Sequence, residues 1–370
     1  MNEREAWIAL NMVPGIGPLT FNALLARFGS ALGALAASDG DLGSVHGIGP
    51  KVIRSLRTHA KEAAAKREEG RARDLGVEIL TGLDFRYPTL LSQIASKPPV
   101  LYVKGGLRKE DEASVAIVGA RRSSAYGREV AGRLAAELAR CGLTIVSGMA
   151  LGIDTAVHCG ALGAGGRTVA VWGSGLDIPY PPQNRKLAEE IPRSGAILSE
   201  FPLGSAPVPG NFPRRNRIIS GISLGVVVVE ADERSGALIT ANFASDQGRE
   251  VFAVPGSIYL QGSKGCHRLI QMGAKLVERA EDVLEELRLG ERLSGRGGPA
   301  AESGGEKNGK PALEREEAII YGILSDQPLH IDEVITKCGI PAGKVASVLM
   351  SLEIKGYCRQ ERGKRFQRAK

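Results

Sequence analysis

Six short stretches carry the residues that could do chemistry. They are Gly119-Ala120-Arg121 with Ser123, Ser147-Gly148, Gly173-Ser-Gly175, Ser199-Glu200, Glu230 followed by Ser235-Gly236, and Pro255-Gly256. Glycines and hydroxyls of this kind leave backbone N–H groups bare, which suits phosphate oxygens and makes no demand on base identity. Acid–base chemistry is poorly served. His158 stands beside Cys159, but neighbours on a helix point about 100° apart and cannot face one another as base and nucleophile. His158 therefore reads as a satisfied structural histidine. Glu200 and Glu230 could form a carboxylate pair, yet nothing completes it, and they are expected to hold backbone amides or arginines.

A second constellation lies between Pro207 and Ser223. Phe212 precedes Arg214, Arg215, Asn216 and Arg217. One ring to stack a base and several guanidiniums for phosphates would make a single-strand contact. The alternative is that Phe212 packs beneath its loop while the arginines pair with Glu200 and Glu230; both are expected in part. No Gly-x-Gly-x-x-Gly follows Val118 and no Gly-x-x-x-x-Gly-Lys-Ser/Thr occurs, which argues against NAD chemistry and P-loop ATP hydrolysis. The five cysteines are odd in number and form no Cys-x-x-Cys pair, so neither disulfides nor a zinc site are signalled, and no cofactor is expected.

These stretches need elements to hold them. Val115 to Val118 is a short apolar β-branched run that stops at Gly119, as a buried parallel strand does. A helix from about Gly127 to Cys141 follows, then a strand from Leu143 to Val146 and a helix from near Gly152. Further strands are expected at Val100–Val103, Thr168–Trp172, Ala196–Leu198, Leu224–Val229 and Val251–Val254. Helices are expected at Pro182–Ile191 and Gly236–Gly248. Such alternation predicts a parallel sheet with helices on both faces and a ligand outside the carboxyl ends of its strands.

Residues 1–80 read as helical. Val13-Pro-Gly-Ile-Gly-Pro18 and Val45-His-Gly-Ile-Gly-Pro50 lie 32 residues apart and suggest two helix-hairpin-helix motifs. Their glycines would let amides approach nucleic-acid phosphates, or would only cap helices. The charged run from Lys61 to Arg73 is expected to be a solvated helix face. Residues 289–311, rich in Gly, Ser, Lys and Glu, read as a flexible linker. Three helices and a hairpin then fit a winged helix over 312–370, whose end holds seven Lys/Arg and one acid from Lys355 to Lys370. That wing could touch DNA or a protein. The net charge of +7 suggests an anionic partner. No apolar run approaches the roughly 20 residues of a membrane span, and a cytoplasmic location is expected.

In order along the chain stand Tyr87-Pro88, Val118-Gly-Ala-Arg121, Ser147-Gly-Met-Ala-Leu-Gly-Ile-Asp154, His158, Tyr180-Pro181 and Ser199-Glu-Phe-Pro202. Phe212-Pro-Arg-Arg-Asn-Arg-Ile-Ile-Ser220, Glu230-Ala231, Ser235-Gly-Ala-Leu-Ile-Thr240 and Val254-Pro-Gly256 follow. Over roughly residues 85 to 280 this string resembles the DNA-processing protein A family (DprA, also called Smf). The resemblance implies an α/β fold: an extended Rossmann-like sheet over 81–288, with a helix-hairpin-helix (SAM-like) domain before it and a winged helix after it. It implies no catalysis, binding of single-stranded DNA, a homodimer, and loading of RecA recombinase on incoming DNA in natural transformation. Carried over by position, the family's Gly-Ser-Arg phosphate turn falls on Gly119, Ala120 and Arg121, with alanine in place of serine. The candidate DNA contacts are then these three with Ser123, Ser147, Gly148, Lys186, Phe212, Arg214, Arg215, Asn216, Arg217, Ser235 and Gly236. The alternative is a nucleotide-binding or nucleoside-monophosphate-cleaving enzyme of a related fold. Those enzymes resemble one another in a Pro-Gly-Gly-x-Gly-Thr turn, and Ser235 to Thr240 stands in its place here.

Overall fold

The computed structural model describes residues 1–289 and, beyond them, 315–325, 328–354, 357–361 and 365–368. The chain divides into two compact units, Met1–Gly298 and Pro299–Lys370.

The first unit opens with helices. α1 (Glu3–Asn11) and α2 (Pro18–Phe28) flank the first Gly-Ile-Gly, α3 (Ala31–Ala36) follows, and α4 (Asp39–Gly43) and α5 (Pro50–His59) flank the second. Proline at the first helical position of α2 and α5 presets φ where no N–H partner is needed. The two turns share one backbone: Gly15 and Gly47 take φ of 93° and 84°, a region side chains rarely adopt. A Cβ on Gly15 would come 3.3 Å from Val52, and one on Gly47 3.7 Å from Thr20, the repeat counterpart of Val52. Each turn therefore packs on the other hairpin's second helix. The next helix, α6 (Glu62–Asp74), carries the charged run, but it is not solvated all round. Glu68 is 2% exposed and accepts the Leu203 N–H at 2.7 Å.

The sheet begins inside the stretch read as helical, with β1 (Val77–Thr81), then α7 (Thr89–Ser92), β2 (Val100–Gly105), β3 (Ser114–Val118), α8 (Ala125–Arg140), β4 (Thr144–Ser147) and α9 (Ile153–Gly163). It continues through β5 (Thr168–Val171), α10 (Arg185–Ser194), β6 (Ala196–Ser199), α11 (Asn211–Gly221), β7 (Gly225–Val228), α12 (Gly236–Asp246), β8 (Glu250–Ala253), α13 (Lys264–Gln271), β9 (Lys275–Leu276) and α14 (Ala280–Glu286). The nine strands lie in the order β1-β2-β6-β5-β4-β3-β7-β8-β9. All neighbours from β6 to β9 are parallel, while β2 runs antiparallel to both β1 and β6. The central strands β3 and β7 are buried along their whole length, as apolar β-branched runs covered on both faces must be. Trp7, Leu10 and Phe21 of the helical segment share one core with Tyr102, Trp172 and Ile191 of the sheet region. Beside β3 the chain order reverses: β4, β5 and β6 lie to one side, β7, β8 and β9 to the other. That reversal opens a crevice at the carboxyl ends of β3 and β7.

In the second unit α15 (Arg315–Ile323), α16 (Ile331–Cys338) and α17 (Ala342–Ile354) pack with a sheet of order β10-β12-β11: β10 (Leu329–His330), β11 (Cys358–Glu361) and β12 (Arg365–Arg368). Ile320, Val334, Leu349, Leu352 and Phe366 form its core. This is the winged helix, with Leu329–His330 added to the expected hairpin as a third strand. Of the stretch 289–311 expected as a linker, all but Leu289 lies outside the described residues.

Candidate nucleic-acid interface

The crevice is built from the turns that end β3, β4, β5 and β7. After Val118 the chain runs through Gly119 to Ser124, which caps α8 by accepting the Gly127 N–H at 2.9 Å. Glu230, just past β7, fastens this turn: its carboxylate accepts from the Ser124 N–H and hydroxyl, both at 3.0 Å, and its carbonyl accepts the Ala120 N–H at 2.7 Å. Gly152 supports the turn from below. Its φ is 83° and a Cβ there would lie 2.4 Å from the Ala120 carbonyl oxygen, so no side chain fits. Ser235 caps α12 on the far side, with Gly236 exposed beside it.

Two hollows result. The larger, 600 Å³, is bordered by Gly119, Ala120, Arg121, Arg122, Ser235 and Gly236, with Phe212, Arg215, Asn216 and Ile219 along one wall. Those four wall residues are spaced i, i+3, i+4 and i+7 on α11, so one helical face supplies the wall. The smaller hollow, 230 Å³, includes Gly148, Trp172, Gly173, Ser174, Tyr180 and Pro181. Arg121, Tyr180 and Phe212 border both hollows. The Arg121 guanidinium sits 5.0 Å over the Phe212 ring, and Tyr180 meets that ring at 5.6 Å with a 37° tilt. Arg121 and Arg122 are exposed, and Arg121 has no ion pair among the described residues.

The remaining cations are sorted by helix phase. Arg215 is 4% exposed and donates through Nη1 to the carbonyls of Gly148 and Val171. Burial lowers its pKa to about 10, against the pull of Asp154, so it stays charged at neutral pH. Asp154 is buried beside it; burial raises its pKa, opposed by Arg215 and by the Ala150 N–H. Arg217 is buried as well, and donates to Glu200 at 2.6 Å; burial is the chief cause of its lowered pKa. Arg214 is exposed, 3.6 Å from the same carboxylate and 5.1 Å over Phe201. The expected pairing of arginines with Glu200 is thus present, while Glu230 holds amides instead.

Of the candidate residues, Gly119, Ala120, Arg121, Phe212, Arg215, Asn216, Ser235 and Gly236 meet in the larger hollow and Gly148 in the smaller. Ser147 is fully buried, donating to the Ile117 carbonyl at 2.7 Å. Ser123, Arg214 and Arg217 border neither hollow. Lys186 is exposed on the first turn of α10 and also stands outside both. Sequence reasoning gave no role to Arg122, Trp172, Tyr180 or Asp232, all of which border the hollows. Tyr180-Pro181 was visible as a motif, but its approach to Phe212 is a tertiary contact. His158 is wholly buried, bonded to the Thr168 hydroxyl at 2.7 Å. Burial first, and the Arg215 charge second, depress its pKa to about 3, so it is neutral and structural. Among the described residues no group of three His, Cys, Asp or Glu side chains is placed to hold a metal.

Comparison with known proteins places this geometry. Residues 78–288 match the DNA recombination-mediator protein A family, 306–364 the DprA winged helix domain, and 1–38 the DprA-like N-terminal HHH domain. Protein Smf of Synechocystis sp. is 36% identical over 394 residues, covering 99% of each chain. The crystal structure of DNA processing protein A from Streptococcus pneumoniae superimposes with a TM-score of 0.69 at 38% identity, over 77% of this chain and 99% of that one. The DNA processing protein A of Helicobacter pylori, described for its unique single-stranded DNA binding mode, superimposes with a TM-score of 0.52 at 31% identity, over 57% of this chain and 95% of that one.

Proposed function

Because this chain belongs to the DNA recombination-mediator protein A family, we propose that the crevice beside β3 and β7 binds single-stranded DNA. The observation that carries the reading is Arg121, an exposed guanidinium without an ion pair among the described residues, at the mouth of a hollow edged by glycine turns and helix N-termini. An unpaired cation beside bare amides is suited to phosphate, and neither group reads a base. Ser235 and Gly236 extend the same edge, while Lys186 and Arg214 are exposed cations outside both hollows. We read the protein as acting without catalysis: His158 is buried and neutral, and His267 is held against the Gly256 backbone. As a cytoplasmic homodimer it would pass the strand to RecA recombinase when incoming DNA is taken up in natural transformation. The exposed apolar run Ile258, Tyr259 and Leu260 supports an associating surface of this kind.

The test is a mobility shift with labelled single strand and duplex at two salt concentrations. Tighter binding of the single strand, weakening as salt rises, is expected from phosphate contacts. Salt-independent binding, or release of free base from nucleoside monophosphates, overturns the reading in favour of base stacking or of an enzyme. The RecA step is tested by recombinase filament growth on strands coated with a single-strand binding protein, which this chain should accelerate.

A further inference from the structure

A third hollow, of 360 Å³, lies away from the crevice, towards the amino ends of β3 and β4, where Ser114 and Thr144 border it. Its floor is apolar: Val146, Val169 and Leu198 of the sheet, with Ile222 just past α11. The hydroxyls that reach this floor are already bonded within the fold. Tyr87 donates to the Pro98 carbonyl at 2.6 Å, Ser114 to the Ile222 carbonyl at 2.6 Å, and Thr144 to the Asp111 carboxylate at 2.7 Å. A polar ligand group would lose its water there and find no free hydroxyl in return. An apolar body is therefore the part that enters. The rim is charged. Asp111 is held by Arg167 at 2.8 Å, Arg86 pairs with Glu78, and Glu112 accepts the Thr89 hydroxyl at 2.9 Å. Arg108 and Lys109 border the hollow, are exposed, and have no ion pair among the described residues. The neighbouring Glu110 does not border it.

Phe85 stands at the same rim with 94% of its surface exposed, and Leu83 on the same loop is 59% exposed. The Arg86 guanidinium lies 5.8 Å over the Phe85 ring. A small ligand inside the hollow would leave both apolar side chains in water, whereas a protein partner covers them as it fills the opening. We propose that this hollow takes an apolar side chain from an acidic peptide segment of a partner protein. Arg108 and Lys109 meet the carboxylates of the segment, and Phe85 packs beside it. The assignment concerns the edge of the sheet opposite the crevice and stands whether or not the crevice binds DNA.

The experiment selects a random nonapeptide display library on the full chain. Enriched peptides should combine an aromatic or large aliphatic residue with aspartates or glutamates. A labelled synthetic copy of one of them, followed by fluorescence anisotropy, should bind about tenfold more weakly when its apolar residue is replaced by alanine. The double variant Arg108→Glu, Lys109→Glu should weaken it by a similar factor, about tenfold, through like-charge repulsion, while affinity for a labelled oligonucleotide stays unchanged. No enrichment, enrichment of basic peptides, or peptide binding unmoved by the double variant overturns the assignment. If sodium decanoate binds, sensitive to the double variant, and no peptide is enriched, the hollow is a site for a small amphiphile and the peptide assignment is wrong. Should the double variant not fold, Phe85→Ser, at a ring already in water, replaces it: weaker peptide binding supports the assignment and unchanged binding overturns it.

Discussion

Arg121 and Arg167 sit at opposite edges of one sheet and are used in opposite ways. Arg167 lies at the amino end of β5, where chain ends present carbonyls. It donates to both Asp111 carboxylate oxygens, at 2.9 and 2.8 Å, to the Ser194 carbonyl at 2.6 Å and to the Gly106 carbonyl at 2.9 Å. Arg121 lies at the carboxyl end of β3, where α8, α9 and α12 present their amino ends; its guanidinium lies over the Phe212 ring and has no ion pair among the described residues. Strand polarity is the cause. In a parallel sheet every helix returns with its amides at one edge and its carbonyls at the other. Arg167 at the carbonyl edge is consumed by the fold, and Arg121 at the amide edge is left for a ligand.

The largest effect expected concerns the layer just beneath the amide edge. Arg215→Met leaves Asp154 buried without its cation and frees two carbonyls, and should cost about 3–5 kcal/mol in urea unfolding. A loss below about 1 kcal/mol would mean that Arg215 belongs with Arg121 as a ligand group. Arg121→Ala should weaken oligonucleotide binding about ten- to hundredfold, equivalent to ~1.5–3 kcal/mol, with Tm unchanged. Arg167→Met should show the reverse pattern, a stability loss of about 1–2 kcal/mol with binding retained. If it weakens binding as Arg121→Ala does, the division between the two edges fails.

The smallest effect is one of pH. His158 has its pKa depressed to about 3 in the fold, so the unfolded chain takes up its proton first. Its contribution is complete above pH 6.5 and is lost as pH falls towards 3, at no more than about 1.4 kcal/mol per pH unit. Asp154, raised by burial, titrates in the opposite sense. The informative quantity is therefore the stability advantage of wild type over His158→Gln, in which the Asp154 effect cancels and which should shrink on acidification. Parallel stability curves would show that the histidine is not the buried neutral group described.

Much of the amide edge was legible because it is written locally. An apolar run that stops at Gly119 and a helical period after it are short-range patterns, and the alternating elements followed from them within a few residues. The two Gly-Ile-Gly turns were legible for the same reason, since only glycine takes their φ. What stayed hidden depends on phase and distance. The basic run after Phe212 reads as one cluster, but α11 begins at Asn211, and that start turns Arg215 inward beside Ile219 while Arg214 stays outside. Glu68 looked like one charge among many, yet it is buried against Leu203, 135 residues away.

By itself, then, the sequence determined which residues could meet an anion, because glycine turns and caps are dictated by neighbouring residues. It determined the parallel strands from β3 to β8 as well, through buried β-branched runs separated by helical periods, but not β1, β9 or the antiparallel course of β2. Only the tertiary structure decided which arginines remain free. That choice depends on which carboxylates and carbonyls reach each guanidinium, and those acceptors come from strands and helices far away in the chain. Arg121 is left at the crevice, Arg215 and Arg217 are drawn beneath it, and Tyr180 is brought to the ring of Phe212, because a charge out of water must find its partner inside the fold.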